Sequence, residues 1–400
     1  MPGPPASSLR PRDLRRGAVL TLAFLAALGT AASAGCWDRA DATDAAGLPA
    51  ASSASAPAVP APAPPREAGT ADREAVARAA ADAVAEGKSG KKAAQEVVSR
   101  SGDRWGVVYD QGEYAAFTED LDGRWTGVGL WTERLRDGRI EIDRVQPGSP
   151  AARAGLRAGD RLLSVDGNRV TGLAVAEVVA LLRGEAGTRV VLSLSRDGVT
   201  LTETVRREQL RSEPVTVRLL PGGITVIKVA SFTRGSGERV QEAVRTAPPG
   251  AGVMLDLRGN PGGLVTEAVK AASAFLDGGL VATYDVRGTQ RALYAPRGGD
   301  TVRPLVALVD GGTMSAAELV AGALQDRGRA VTVGTRTFGK GSVQMPTQLP
   351  DGSVAELTVG TYRTPAGRSL DGGGISPDLA ADEGAEERAR TVLGGLGVGP

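Results

Sequence analysis

Hydrophobic and polar positions along the second half of the chain follow two alternating periods, and the switches between them outline an α/β architecture. Ile224–Val229, Val253–Leu257, Leu305–Val309 and Ala330–Val333 are short apolar runs that read as buried strands. Between and after them, Glu238–Thr246, Thr266–Phe275 and Ala316–Asp326 carry helical spacing, and a β-rich end runs to about Arg363. Further upstream the period-2 runs Ile140–Val145, Arg161–Val165 and Arg189–Ser195 alternate with turn signals at Pro147–Pro150 and Asp166-Gly167-Asn168. Two helices, Ala151–Leu156 and Ala174–Arg183, interrupt these strands, which predicts a small β-rich unit. Ala71–Arg100 has Ala- and Val-rich helical faces, and Asp103–Phe117 reads as a loop leading into a helix.

The first 36 residues have the anatomy of an export signal. Arg10, Arg12, Arg15 and Arg16 precede the apolar run Gly17–Leu28, and Ala32-Ser33-Ala34 supplies a small-x-small cleavage pattern. Two other readings stay open: an uncleaved anchor over Gly17–Ala34, and a lipoprotein signal ending at Cys36, for which Ser33 is an atypical residue. All three place the remainder outside the cytoplasm, secreted or held at the cell envelope. Residues 37–70 are rich in Ala, Ser and Pro and suit an extended spacer. The expected organisation is therefore an export signal or anchor (1–36), a linker (37–70), a helical segment (71–116), the β-rich unit (117–200), an α/β core (201–380) and a tail (381–400).

Composition narrows the chemistry. Among the 400 residues, 47 Lys and Arg balance 46 Asp and Glu, so no electrostatic case for nucleic acid exists. There is no histidine, which excludes Ser-His-Asp triads, Cys-His dyads and histidine-ligated zinc. The one cysteine allows neither an intrachain disulfide nor a cysteine-cluster metal site. Neither kind of metal site is therefore available. Hydrolytic chemistry would have to use carboxylates, lysine, or a serine activated by something other than histidine.

Three segments then stand out. Val253–Leu264 ends a buried-looking strand in Arg-Gly-Asn-Pro-Gly-Gly, where glycines let backbone N–H groups approach an anion. Such turns are common in α/β proteins, and neither a phosphate-loop ending nor a dinucleotide fingerprint follows. In Leu308–Ala323, Ser315 sits at the start of a helix, where the positive end of the helix dipole favours developing negative charge. Alone it is more simply a helix cap, since Ser315 and Glu318 fit an S-x-x-E capping box. Phe338-Gly339-Lys340-Gly341 presents a lysine between glycines. Desolvation there could lower its pKa enough for it to act as a base.

Gly127–Ser195 resembles a PDZ domain of the bacterial protease type, on Gly127-Val128-Gly129-Leu130, Gly148-Ser149-Pro150-Ala151, Ala154-Gly155-Leu156, Gly159-Asp160-Arg161-Leu162 and Asp166-Gly167. A Gly-x-Gly-apolar loop can form a nest of N–H groups for a peptide carboxylate, with the next strand edge receiving the peptide. The chain from about Asp103 to Leu379 resembles the carboxyl-terminal processing (tail-specific) peptidases. Gly312-Thr313-Met314-Ser315-Ala316-Ala317-Glu318 matches the family's nucleophile segment, and Phe338–Gly341 its F-G-K-G. The twenty-five residues from Ser315 to Lys340 are also its spacing. Leu255–Gly263, Thr364–Ser369 and Gly374–Asp378 match further family motifs, while Met314 and Ala317 replace the usual alanine and serine.

The resemblance implies a ClpP/crotonase-like core with an inserted PDZ domain and a Ser-Lys endopeptidase. Ser315 would be the nucleophile and Lys340 the base, with Gln344 orienting the lysine. The N–H groups of Gly262 and Ala316 would form the oxyanion hole, and Gly127, Val128, Gly129 and Leu130 would hold a substrate C-terminus. Asp326 matches an acidic residue implicated in some members and equally suits a helix-end charge. The resemblance implies no metal and no organic cofactor. Implied partners are proteins with free, flexible C-termini, with no nucleic acid, membrane association only through the N-terminus, and oligomerisation left open. The rival from another class is a catalytically silent PDZ adaptor on a peptidase scaffold; retention of both Ser315 and Lys340 favours the enzyme.

Overall fold

The computed structural model describes residues 70–286 and 289–397. The expected export signal and the linker up to residue 69 lie outside the described residues. The core is a six-stranded sheet in the order β10 (Val215–Leu219), β11 (Thr225–Val229), β12 (Val253–Asp256), β15 (Leu305–Val309), β16 (Val331–Gly334) and β19 (Leu379–Ala380). All neighbours are parallel except β10 and β11. Successive side chains on a strand point to opposite faces, and both faces are covered, which explains the unbroken apolar runs. On one face Ile227, Leu255, Ala307 and Val309 meet helices α6 (Ser236–Thr246), α7 (Val265–Ser273) and α8 (Ala316–Asp326). On the other, Val226, Met254, Val306, Leu308 and Val333 pack against Ala385, Ala389 and Leu393.

Those last three residues belong to α9 (Ala385–Gly395), a helix within the span expected as a tail over 381–400. They recur every four residues, giving a narrow stripe built partly of alanine. The stripe is too weakly apolar to stand out in sequence, yet it fits closely against the sheet.

A second, antiparallel sheet contains β18 (Val354–Arg363), paired along its length with β17 (Ser342–Gln348) and at its two ends with β1 (Val107–Tyr109) and β13 (Leu280–Val286). Strand β14 (Thr289–Tyr294) pairs with β13. Helices α1 (Arg73–Ala85) and α2 (Gly90–Ser101) pack Val76, Ala80, Ala94 and Val98 onto Ala355 and Leu357 of this sheet and onto Leu349, just past β17. The N-terminal segment is thus stitched into the core. It also includes a strand, followed by α3 (Gln111–Leu121), where a loop and helix start were expected.

The inserted unit is a separate antiparallel sheet, β3 (Leu130–Arg134), β4 (Ile140–Val145), β5 (Arg161–Val165), β7 (Arg189–Arg196) and β8 (Val199–Arg206), with β6 (Asn168–Arg169) beside β5. Ile140, Ile142, Leu162, Leu192 and Leu194 fill its own core together with Val178 of α5 (Val175–Leu182). The short α4 (Pro150–Arg153) is its second helix. The chain enters and leaves this unit through a two-stranded ribbon, β2 (Arg124–Gly127) on β9 (Glu208–Arg211). Among the described residues no helix is long and apolar enough to cross a membrane.

Candidate active site

The C-terminal ends of β12 and β15 lie side by side, and the two turns that follow them are tied together. Asp310 Oδ1 accepts from the Gly312 and Gly259 N–H groups (2.9 and 2.8 Å), and the Thr313 hydroxyl donates to the Leu257 carbonyl (2.9 Å). Asn260, fully buried, accepts from Met314 N–H through its carbonyl (2.9 Å) and donates its amide to the Val229 carbonyl (3.0 Å).

Ser315 occupies the turn into α8 with φ 51° and ψ −117°. An ordinary N-cap residue lies in the β region and bonds its hydroxyl to the helix. Ser315 does neither, and its hydroxyl makes no capping bond. A non-glycine residue in this sparsely populated region stores strain, a feature that clusters at functional sites. The side chain is half-buried, whereas Ala316 through Leu324 are buried throughout. Ala316, as the first helical residue, has an N–H without an intrahelical acceptor.

Gly262 approaches this turn closely: a Cβ placed on it would lie 3.0 Å from Ser315 Cβ and 3.1 Å from the Ala316 nitrogen. The two expected oxyanion donors are therefore neighbours. The Gly262 N–H itself donates to Asn260 Oδ1 (2.8 Å).

The lysine segment reaches the same place through Glu318. This carboxylate is completely buried. Its Oε2 accepts from the Ser315 and Lys340 N–H groups (2.9 Å each), and its Oε1 from Gly339 N–H (2.8 Å) and the Thr337 hydroxyl (2.5 Å). Burial pushes its pKa up, while the four donors oppose that shift by stabilising the anion. The loop also packs on residues 370–374. A Cβ on Gly341 would meet the Asp371 nitrogen at 2.3 Å, so the second glycine of F-G-K-G is required by close backbone approach.

Desolvation lowers the Lys340 pKa from the usual lysine range; Glu356, Asp103 and Glu318 act in the other direction. The Nζ lies 5.0 Å from the centre of the Trp105 ring. Gln344 donates to the Ser342 and Thr358 hydroxyls (2.7 and 3.3 Å). Asp326 sits at the other end of the eleven-residue α8, about 16 Å along its axis from Ser315. There it accepts from Ala366 N–H (2.8 Å) and pairs with Arg368, fastening the helix end to the Thr364–Ser369 turn.

The sequence reading passed over Asn260, Glu318, Asp103 and Trp105. For Glu318 a signal existed, an acid within the apolar run of α8, but the capping-box reading absorbed it. A cavity of about 460 Å³ between α3 and the β17–β18 hairpin is lined by none of the candidate residues.

In the inserted unit, Val128 and Leu130 are buried, and the Val128 and Gly129 carbonyls accept from Ala151 and Gln146 N–H groups (2.9 Å each). Strand β3, which follows directly, pairs among the described residues only with β4, its other edge having no strand beside it there. Gly129 has φ +87°, and a Cβ on it would fall 2.2 Å from Ser149 Cβ. Gly129→Val is expected to weaken binding of a C-terminal peptide by at least about tenfold, because it strains the backbone and displaces the loop. Fluorescence anisotropy with a labelled free-acid peptide checks this; an unchanged Kd would remove the loop from the carboxylate role.

The parallel core with its strained serine turn, and the small antiparallel unit inserted ahead of the main sheet, are the two parts that family models match. The model of "Peptidase family S41" matches residues 223–381, and that of "PDZ domain" matches 141–196. The first match includes Gly262, Ser315, Ala316, Lys340 and Gln344; the second begins after the Gly127–Leu130 loop. The solved "Photosystem II D1 C-terminal processing protease" is 33% identical, with a TM-score of 0.51 over 76% of this chain and 86% of that one. The chain belongs to peptidase family S41, among the carboxyl-terminal processing proteases. "Carboxy-terminal processing protease CtpA" of Bacillus subtilis (strain 168) is 34% identical over 285 residues, which is 70% of this chain and 61% of the relative. "C-terminal processing peptidase, chloroplastic" of Tetradesmus obliquus is 39% identical over 293 residues, 67% of this chain and 62% of the relative. The chain thus spans less than two thirds of the length of these curated relatives.

Proposed function

We propose that the chain is a serine endopeptidase that takes hold of substrate C-termini through its PDZ unit and cleaves near them by a Ser-Lys mechanism. The observation that carries this reading is the Glu318 carboxylate, which binds the Ser315 and Lys340 backbones at once and so fixes the two segments against each other. In the reaction the neutral Lys340 amine takes the Ser315 Oγ proton as Oγ attacks the scissile carbonyl. The developing oxyanion faces the Ala316 N–H, joined by that of Gly262 once it turns from Asn260 Oδ1. The Lys340 ammonium then gives its proton to the departing amine. Water, deprotonated by the same amine, releases the acyl group from Ser315. Gln344, whose amide donates to Thr358, orients the lysine in this reading.

The β3 edge that has no described strand beside it, next to the Gly127–Leu130 loop, suits an added peptide strand ending in a carboxylate. Export through residues 1–36 would bring the enzyme to substrate tails outside the cytoplasm. The experiment compares one flexible peptide as free acid and as C-terminal amide. A charge-assisted hydrogen bond is about twice as strong as a neutral one, so the amide is expected to be cleaved at least about tenfold less efficiently. Equal cleavage of the two would end the tail-specific reading, while labelling of Ser315 by a fluorophosphonate tests the peptidase reading separately.

A further inference from the structure

The lysine side of the site draws on chain that precedes the PDZ unit and lies outside the S41 match. Residues 103–106 join α2 to β1, and both of those elements are fixed on β18: α2 by packing, β1 by the register Val107↔Glu356 and Tyr109↔Val354. Asp103 is buried in this joint. Its Oδ1 accepts from the Trp105 and Gly106 N–H groups (3.1 and 2.9 Å) and from the Thr358 hydroxyl (2.7 Å). Its Oδ2 accepts from Thr358 N–H (2.9 Å). The same Thr358 hydroxyl receives the Gln344 amide. Two residues on, the Trp105 ring packs at 5.8 Å from Phe338 and presents its face to Lys340 Nζ.

We propose that Asp103 and Trp105 are positioning residues for Lys340: Asp103 locks the loop to β18, and Trp105 holds the amine against its indole face. The inference rests on the Ser-Lys reading. An amine on a flexible four-carbon stem samples many rotamers, and an aromatic face on one side restricts them. The ring also favours the charged form, as do Glu356 on β18, Asp103 itself and Glu318 on α8, while desolvation opposes all four. Arg104 lies 5.2 Å from the same ring and 3.9 Å from Asp371, so it adds a positive charge to this neighbourhood.

The test uses the full chain, one free-acid peptide, and the variants Trp105→Leu, Trp105→Phe, Asp103→Asn and Lys340→Ala. Active enzyme is counted by fluorophosphonate titration so that misfolded protein does not enter the rates. Trp105→Leu keeps an apolar neighbour but removes the ring. Its kcat is expected to fall at least about tenfold with KM little changed. Losing the interaction that favours the ammonium should also move the alkaline rise in kcat to lower pH. Asp103→Asn should shift the profile in the same direction, and Trp105→Phe should restore both rate and profile. A Trp105→Leu enzyme with a wild-type profile and kcat per titrated site, or a Trp105→Phe enzyme as impaired as Trp105→Leu, would overturn the inference. An active Lys340→Ala enzyme would instead overturn the Ser-Lys reading beneath it.

Discussion

Lys340→Met is expected to remove at least about a thousandfold of peptide cleavage while leaving the fold as stable as before, or slightly more so. The methionine keeps an unbranched apolar stem, with a sulfur in place of one methylene, and loses the amine. Burial holds the Lys340 pKa below the ordinary lysine value, so between the folded and unfolded values the folded chain binds fewer protons. The penalty of burying the ammonium is therefore fully present below the folded pKa and fades as pH rises toward the unfolded one. Methionine carries no such penalty, and its melting temperature should match or exceed the wild type at neutral pH, with the difference shrinking in alkali. Activity runs the other way. The wild-type rate is expected to rise with pH as the amine loses its proton, and the depressed pKa should bring that rise below the range of a solvated lysine. Lys340→Arg should be equally inactive, because a guanidinium does not give up its proton. Thermal melts and pH–rate profiles on the same preparations separate the two effects. Robust turnover by Lys340→Met with a flat profile would sink the Ser-Lys assignment.

Much of the architecture was legible because the strands of the main sheet are covered on both faces. Residues such as Val253–Leu255 and Leu305–Val309 leave no polar interruption, and the helices between them keep their 3.6-residue period. Strand β14 was not legible, since five of its six residues are exposed and it has no buried face to create alternation. Strand β1 was missed because its pairing with β18 joins residues almost 250 apart in sequence. No local pattern announces such a partner. The candidate site divides in the same way. Ser315 and Lys340 lie in short motifs readable from residue order, and Gly262 lies in a third. What joins them is a set of buried polar contacts made across the fold. Asn260 links three turns, Asp103 reaches Thr358, and Glu318 reaches Gly339 and Lys340. A capping box and a buried four-donor carboxylate look identical in sequence; only the packing of residues 337–340 over the start of α8 tells them apart.

Removing that carboxylate should do the most damage of any change outside the Ser-Lys pair. Glu318→Ala leaves four inward-facing donors unsatisfied: three backbone N–H groups and the Thr337 hydroxyl. A buried donor without a partner is expensive, and a cavity adds to it, so the expected loss is about 3–5 kcal/mol of stability. Glu318→Gln is gentler, and its geometry shows why. The Thr337 hydroxyl accepts from Ile375 N–H (2.6 Å) and has a further lone pair, so the new amide can turn its NH₂ toward Thr337. Its carbonyl then keeps the Ser315 and Lys340 N–H groups, while the Gly339 N–H and the Thr337 hydroxyl hydrogen lose their acceptor. That arrangement preserves the bridge between the two catalytic segments at a cost of about 1–3 kcal/mol. The rates should follow the bridge. Glu318→Ala is expected to lower kcat about a hundredfold or more, since small misplacements of reacting groups carry penalties of that size, and Glu318→Gln far less. The Gln variant also loses a charge that favours the Lys340 ammonium, so its pH–rate curve should rise at lower pH than the wild type. KM for a free-acid peptide should stay near the wild-type value in both, because the PDZ loop is untouched. Chemical denaturation with kcat measured per titrated serine gives both quantities. A Glu318→Ala enzyme with wild-type stability and kcat would show that the serine and lysine segments are held together by something other than this carboxylate.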